Sequence, residues 1–173
     1  MRVLLVYPEF PISYWGFQHT MRLAGKKALM PPLGLITVAA MCPTDWEFRL
    51  VDMNVESLTA AHLKWAELAM IGGMAVQQES LHAVVQSCKQ AGVRTVVGGP
   101  YATSSPEKMA GVDHLVLDEA EITLPGFLRD LRDGCAGPVY TANGEKPDVT
   151  FTPRPRLDLL KMELYQDMCL QYS

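Results

Sequence analysis

Leu68-Ala69-Met70-Ile71-Gly72-Gly73, then Glu79 to Ala91, then Thr95-Val96-Val97-Gly98-Gly99-Pro100, is the stretch that decides the fold. A short apolar run ends at a glycine pair. Leu81, Val84, Val85 and Cys88 follow at the spacing of one helix face. Gly92 is a stop signal for that helix. A second short apolar run then ends at a second glycine pair. Neither run alternates polar with apolar, as expected of parallel strands covered on both faces. Strand, helix and strand in this order imply a right-handed crossover and a parallel sheet.

The same alternation extends both ways. Upstream, Arg2–Tyr7 reads as a first strand, ended by Pro8 and Pro11. Ile12 to Leu29 is a long connection with Tyr14, Trp15 and Phe17. Pro31-Pro32 suits a helix start, with Leu35, Val38 and Ala39 facing the sheet. Glu47–Val51 reads as a second strand, Asp52 to Ser57 as its exit loop, and a short helix follows through Leu63. Downstream, Ser105-Pro106-Glu107 resembles a helix start. His114–Leu117 is a fifth strand, and Leu124, Phe127, Leu128 and Leu131 mark a last amphipathic helix.

The expected fold is α/β: a flavodoxin-like (Rossmann-like) three-layer sandwich with five parallel strands in the order 2-1-3-4-5. This domain is expected to span residues 1–134. After Gly134 the pattern changes. Val139–Thr141 and Val149–Thr152 are expected to pair as a hairpin around Asn143-Gly144. The rest of 135–173, ending in Gln171-Tyr172-Ser173, reads as a connector.

The 173 residues are 49% hydrophobic, enough to fill the core of one domain. The net charge of −4 gives no electrostatic footprint for nucleic acid or an anionic membrane. The longest apolar run, Leu33 to Cys42, is far short of the ~20 residues of a membrane helix, so no transmembrane segment is expected. Cys42, Cys88, Cys135 and Cys169 are too far apart for a Cys-x-x-Cys pair. They read as buried free thiols in a reducing cytoplasm. His19, His62, His82 and His114 are equally scattered, so no metal site is expected.

In such a sheet, ligands bind at the carboxyl ends of the strands. The loops there are Tyr7-Pro8-Glu9, Asp52-Met53-Asn54, Gly72-Gly73-Met74, Gly98-Gly99-Pro100 and Asp118-Glu119-Ala120-Glu121. A phospho-acceptor receiver would need Asp after the third strand, where Gly72-Gly73-Met74 stands. Pro8-Glu9-Phe10-Pro11 offers two prolines and a negative charge, which suits neither a flavin phosphate nor a nucleotide. Gly98-Gly99 does not meet the dinucleotide fingerprint. Two adjacent glycine pairs would instead open a slot over neighbouring strands. A side chain at Gly98 is expected to project into that slot.

In their order and spacing, Pro31-Pro32-Leu33-Gly34-Leu35, Asp52-Met53-Asn54, Val97-Gly98-Gly99-Pro100 and Glu119-Ala120-Glu121 resemble the N-terminal cobalamin-binding domain of radical S-adenosylmethionine enzymes. The resemblance covers essentially the whole chain. Lys26-Lys27, Gln77-Gln78-Glu79-Ser80 and Glu119-Ala120-Glu121-Ile122-Thr123 resemble its hopanoid-methylase-like branch. Gln171-Tyr172-Ser173 looks like the lead-in to that family's Arg-Gly-Cys-x-x-x-Cys-x-x-Cys motif, which is itself absent.

The resemblance implies cobalamin in this domain, with S-adenosylmethionine and a 4Fe-4S cluster only in a downstream barrel. That barrel is the implied partner, and the parent is an enzyme, a methyltransferase; this stretch alone should catalyse nothing. Many cobalamin domains carry Asp-x-His-x-x-Gly after the second strand, whose His ligates cobalt. Here Asp52-Met53-Asn54-Val55-Glu56-Ser57 puts Asn for His and Ser for Gly. An amide is a poor cobalt ligand beside imidazole. The resemblance thus implies cobalamin with its base displaced and no protein His beneath the metal. The competing reading is a non-enzymatic interaction domain of the same fold that has lost cobalamin.

The candidate cofactor-binding residues are Gly98, Gly99 and Pro100, with Tyr101 and Thr103 beside them as donors to the nucleotide tail. Met74, Ala75 and Gln77 follow the third strand, and Asp52 and Asn54 the second. Glu119, Ala120 and Glu121 open the last helix, where carboxylates are favoured in any case. Pro8 and Glu9 complete the set, and Trp15 and Phe17 are candidates to cover the corrin.

Overall fold

The computed structural model describes residues 1–13, 21, 23 and 25–166. Trp15, Phe17, His19, Cys169 and Gln171-Tyr172-Ser173 lie outside them. Six strands form one parallel sheet in the order β2-β1-β3-β4-β5-β6. They are β1 (Arg2–Tyr7), β2 (Glu47–Asp52), β3 (Leu68–Gly72), β4 (Arg94–Gly98), β5 (His114–Val116) and β6 (Val139–Tyr140). The helices that flank the sheet among the described residues are α1 (Leu33–Met41), α2 (Ala60–Trp65), α3 (Gln78–Gln90), α4 (Gly99–Ser104) and α5 (Ala120–Arg132).

Successive strand side chains point to opposite faces, so the β1 run splits between two cores. Leu4 and Val6 join Ala69, Ile71, Val97 and the Leu81, Val84, Val85 and Cys88 stripe of α3. Val3 and Leu5 join Leu68, Met70, Val96 and Val116, under Ala39 of α1 and Leu124, Phe127 and Leu131 of α5. The flavodoxin-like α/β fold and its strand order are as the sequence implies. Leu35, Ile36 and Ala39 are the buried positions of α1, while Val38 is only half-buried.

The hairpin after Gly134 does not form. Val139–Tyr140 is instead a sixth parallel strand. The amides of Leu115 and Leu117 donate to the carbonyls of Pro138 and Tyr140 at 2.7 and 2.9 Å. Extending a buried sheet satisfies its edge amides, whereas a lone two-stranded hairpin is marginal in water. Val149–Phe151 is a short 3-10 turn. Asn143 and Gly144 do turn, with φ of 51° and 85°, but they join no second strand.

A helix also begins earlier than the sequence suggests: α4 starts at Gly99. Ser105 opens only a 3-10 turn, Pro106–Lys108, and its hydroxyl caps nothing. Cys42 and Cys88 are buried, but Cys135 is exposed. Burial pushes the Cys42 thiol up to about 12, and burial with nearby Asp113 pushes Cys88 up to about 11. Neither is a nucleophile at neutral pH.

The segment after β6 wraps the molecule as a belt. Thr152 Oγ1 donates to Glu121 Oε1 of α5 at 2.7 Å. The Arg156 amide donates to the Ile36 carbonyl of α1 at 3.0 Å. The Lys161 ammonium pairs with Glu56 at 2.7 Å, beyond β2. Tyr165 then forms a parallel bridge with Ala28 and packs with Val55. The belt therefore runs from one edge of the sheet to the other.

Candidate functional site

Both glycine pairs lie at one end of the sheet. Gly72 ends β3 and pairs with Gly98 at the end of β4. A cleft of about 530 Å³ opens there, between α1 and α5. That volume is within the ~300–1,000 Å³ of ordinary small-molecule sites. α1 runs back against the parallel strands β1 and β2 that it joins, so Leu33 stands at the mouth and Met41 deep inside. Likewise Ala120 is at the mouth and Leu124 one turn, about 6 Å, further down. The strand floor is Met70 and Val96, two residues and about 7 Å before the glycines. All of these line the cleft.

The glycines have separate tasks. A Cβ on Gly72 would point at the Leu35 side chain, 3.4 Å from its nearest atom, on the cleft side of the sheet. Gly99 has φ of +83° and sits against the backbone of Gly72 and Gly73. Only glycine takes that conformation without strain beside a close backbone. Gly98 differs from the expectation: its Cβ would lie 2.6 Å from the Val116 carbonyl oxygen, and not in free slot space. Gly98 serves the approach of β4 to β5, and Gly72 keeps the slot open.

Gly98, Gly99, Pro100, Met74, Glu119, Ala120 and Glu121 all line this cleft. Tyr101 and Thr103 do not. The Tyr101 hydroxyl is 3.3 Å from both Gln78 Oε1 and His82 Nε2, on the α3 side. Thr103 Oγ1 accepts from the Asp118 amide at 2.9 Å and so fixes the β5 exit loop. The polar side chains at the mouth are already engaged. Glu119 pairs with Lys146 at 3.0 Å, and Asp118 Oδ2 accepts from the Thr141 hydroxyl and the Ala142 amide at 2.6 and 2.8 Å. Those two bonds hold the Asp118 carboxyl below the usual range.

The other candidates gather beside the slot, over β1, β2 and β3. Asn54 Oδ1 accepts from the Phe10 amide at 2.8 Å. Its Nδ2 donates to the Pro8 carbonyl at 3.2 Å and to Asp52 Oδ1 at 2.7 Å. Gln77 Nε2 donates to the same Pro8 carbonyl, while its Oε1 accepts from the Met74 amide at 2.8 Å. The Glu9 amide donates to Ser80 Oγ at 2.9 Å. Ala75 is exposed, at the start of a 3-10 turn that ends in buried Gln77. Asn54 and Gln77 thus clamp three exit loops together.

Asp52 is buried beneath this clamp. Its Oδ2 accepts from the Tyr165 hydroxyl at 3.0 Å, across 113 residues of chain. Burial raises the Asp52 carboxyl above its usual value, although bonds from Asn54 and Tyr165 pull the other way. A carboxyl raised on folding is more protonated in the native state. Its contribution is fully present below the unfolded pKa and is lost as pH rises through the folded value. Asp52→Asn keeps the shape and removes the titration. The melting temperature of the variant relative to the unmodified chain should therefore rise as pH goes from about 4 to 7. A constant difference across a calorimetric pH series would refute this.

Of the described histidines, none lines the cleft or these loops. His62 caps α2, His82 faces Tyr101, and His114 Nδ1 lies 2.8 Å from the Gly137 carbonyl. Among the described residues, no group of three His, Cys, Asp or Glu could hold a metal, and no helix is long and apolar enough to cross a membrane.

The site residues missed by sequence reasoning include Thr37, Val38 and Met41 on α1, Met70, Ile71, Val96 and Val116 on the strands, Leu124 on α5 and Thr152 on the belt. Their only signal was that helices flanking a glycine-ended strand pair can splay.

Known proteins resemble this chain in sequence. Residues 22–128 match the B12 binding domain family. The whole chain is similar, at 48% identity, to 32% of an uncharacterized methyltransferase of Synechocystis sp.. Over 99% of its length it is 28% identical to 33% of the hopanoid C-2 methylase of Rhodopseudomonas palustris. Over 96% it is 28% identical to 40% of an uncharacterized methyltransferase of Pyrococcus horikoshii. The chain thus spans about a third of the length of the first two curated relatives it matches. With more than half of its residues matched, and a glycine-rimmed cleft at the carboxyl end of its parallel sheet, the chain belongs to the B12 binding domain family.

Proposed function

We propose that this chain is the cobalamin-binding module of a radical S-adenosylmethionine methyltransferase. It would hold the corrinoid base-off, with no protein histidine beneath cobalt. The observation that carries this reading is the slot: a deep, apolar-walled opening whose rim glycines leave room for a nucleotide tail. Leu33, Met74, Gly99 and Pro100 line it, and Met74 and Leu33 are exposed apolar side chains suited to a ring face. Tyr7 and the engaged carboxylates of Glu119 and Glu121 close its sides. Bound cobalamin would supply a cobalt centre able to carry a methyl group.

Asn54 supports the second half of the reading. It stands where the commoner motif has His, and its amide is occupied by Pro8, Phe10 and Asp52. Its role is to hold loops, leaving cobalt without a nitrogen ligand from this loop. The named methyltransferases and the methylase support a methyl-transferring parent. The radical chemistry, its iron–sulfur cluster and S-adenosylmethionine belong to the part of the parent that follows, which is also this module's proposed partner.

Hydroxocobalamin added to the chain should survive desalting and give a corrinoid visible spectrum. After reduction to cob(II)alamin, electron paramagnetic resonance should show no nitrogen superhyperfine splitting. Loss of all corrinoid on desalting would sink the reading, and nitrogen splitting would sink its base-off, histidine-free part.

A further inference from the structure

The walls of the slot change character with depth. Near the mouth stand Asp118, Glu119, Glu121 and Thr152, and Thr37 lies one turn down α1 from Leu33. The apolar lining is Leu35 and Val116, level with the rim glycines, and Met41, Met70, Val96 and Leu124 below them. None of these six side chains can donate or accept an ordinary hydrogen bond. The strand backbone at this depth is no help, because Met70 and Val96 are paired within the sheet. The hydroxyl hydrogens nearby are committed: Thr37 donates to the Leu33 carbonyl at 2.8 Å, and Thr152 to Glu121 at 2.7 Å.

We propose that this slot selects corrinoids by their lower base, favouring a methylated benzimidazole over a purine. The inference rests on the tail entering the slot, as argued above. Complete corrinoids occur with either kind of base. A base enters with its sugar-linked five-membered ring toward the mouth and its six-membered ring deepest. In dimethylbenzimidazole that ring is hydrocarbon with two methyl groups, matching the six apolar side chains. In adenine the same ring carries two ring nitrogens and an amino group. Buried there, the ring nitrogens would lose water and gain no donor. Discrimination of this kind is large when the rejected ligand's polar groups are left unpaired.

The test is a binding titration of the chain with hydroxocobalamin, with its adenine-containing analogue and with cobinamide, which lacks the base, followed by quenching of tryptophan fluorescence. Cobalamin should bind roughly tenfold or more tighter than the adenine form, with cobinamide weaker than cobalamin. Met41→Gln, which keeps an unbranched side chain of similar length and adds an amide to the deep wall, should shrink the ratio between the two complete corrinoids. Equal affinity for the two complete corrinoids, with cobinamide weaker, would overturn base selection and leave tail insertion standing. Equal affinity for all three would overturn tail insertion and this inference with it. A ratio unchanged in a folded Met41→Gln chain would also overturn the inference.

Discussion

Gly98→Val should melt well below the unmodified chain. The first side-chain atom would lie 2.6 Å from the Val116 carbonyl oxygen, a distance that real Cβ contacts do not reach. That oxygen is backbone and cannot swing away. Relief requires β4 and β5 to part, and they share only three residue pairs, Val96 with His114, Val97 with Leu115 and Gly98 with Val116. Overpacking costs about 1–3 kcal/mol, and a clash with backbone puts this site at the upper end, about 3 kcal/mol. In a domain of this size that is roughly 6–12 °C in melting temperature. Thermal unfolding followed by circular dichroism decides it: a melting point within about 2 °C of the unmodified chain would show that the strands give way easily.

Gly72→Leu should do the reverse. The Cβ meets Leu35 at an ordinary 3.4 Å, so the backbone keeps its place, and the rest of the side chain extends into the slot. Stability should change by about 1 kcal/mol or less. Corrinoid affinity should fall roughly hundredfold, about 2.7 kcal/mol, because the tail forfeits its burial. Gly72→Ala, which adds only the Cβ, should bind nearly normally. An unchanged affinity in Gly72→Leu, measured on folded protein, would mean that the slot is not used. The two glycines stand side by side in the sheet and should separate folding from binding.

Much of the fold was legible because it rests on local pattern. The α3 stripe of Leu81, Val84, Val85 and Cys88 and the unbroken run of β1 each identify their element without neighbours. Val139–Thr141 was legible as a strand but its place was not, because two residues carry no period and their pairing depends on edge amides of β5 far back in the chain. α4 was hidden because Gly98-Gly99-Pro100 reads as a turn, although Pro100 sits in the first helical turn where proline is tolerated. In the site, the loop residues were found by the rule that ligands gather at strand ends. The deep wall was not, because Met41, Met70 and Leu124 look like core filler in a linear reading. The Tyr165 contact with Asp52 could not be foreseen either: nothing local marks a tyrosine that reaches back 113 residues.

The belt gives the molecule an order of assembly in time. Asp52 and its Asn54 clamp are made early, but the hydroxyl that covers Asp52 arrives 113 residues later. At about 5–20 residues per second, translation leaves that carboxylate open for roughly 6–23 seconds. β6 is likewise made after the five strands before it, so until then β5 has a bare edge open to pairing with another chain. A nascent chain therefore passes through a stage with its glycine rim and loop clamp in place but the cover over Asp52 and the sheet border unfinished. A corrinoid captured at that stage would meet a looser site than the finished one.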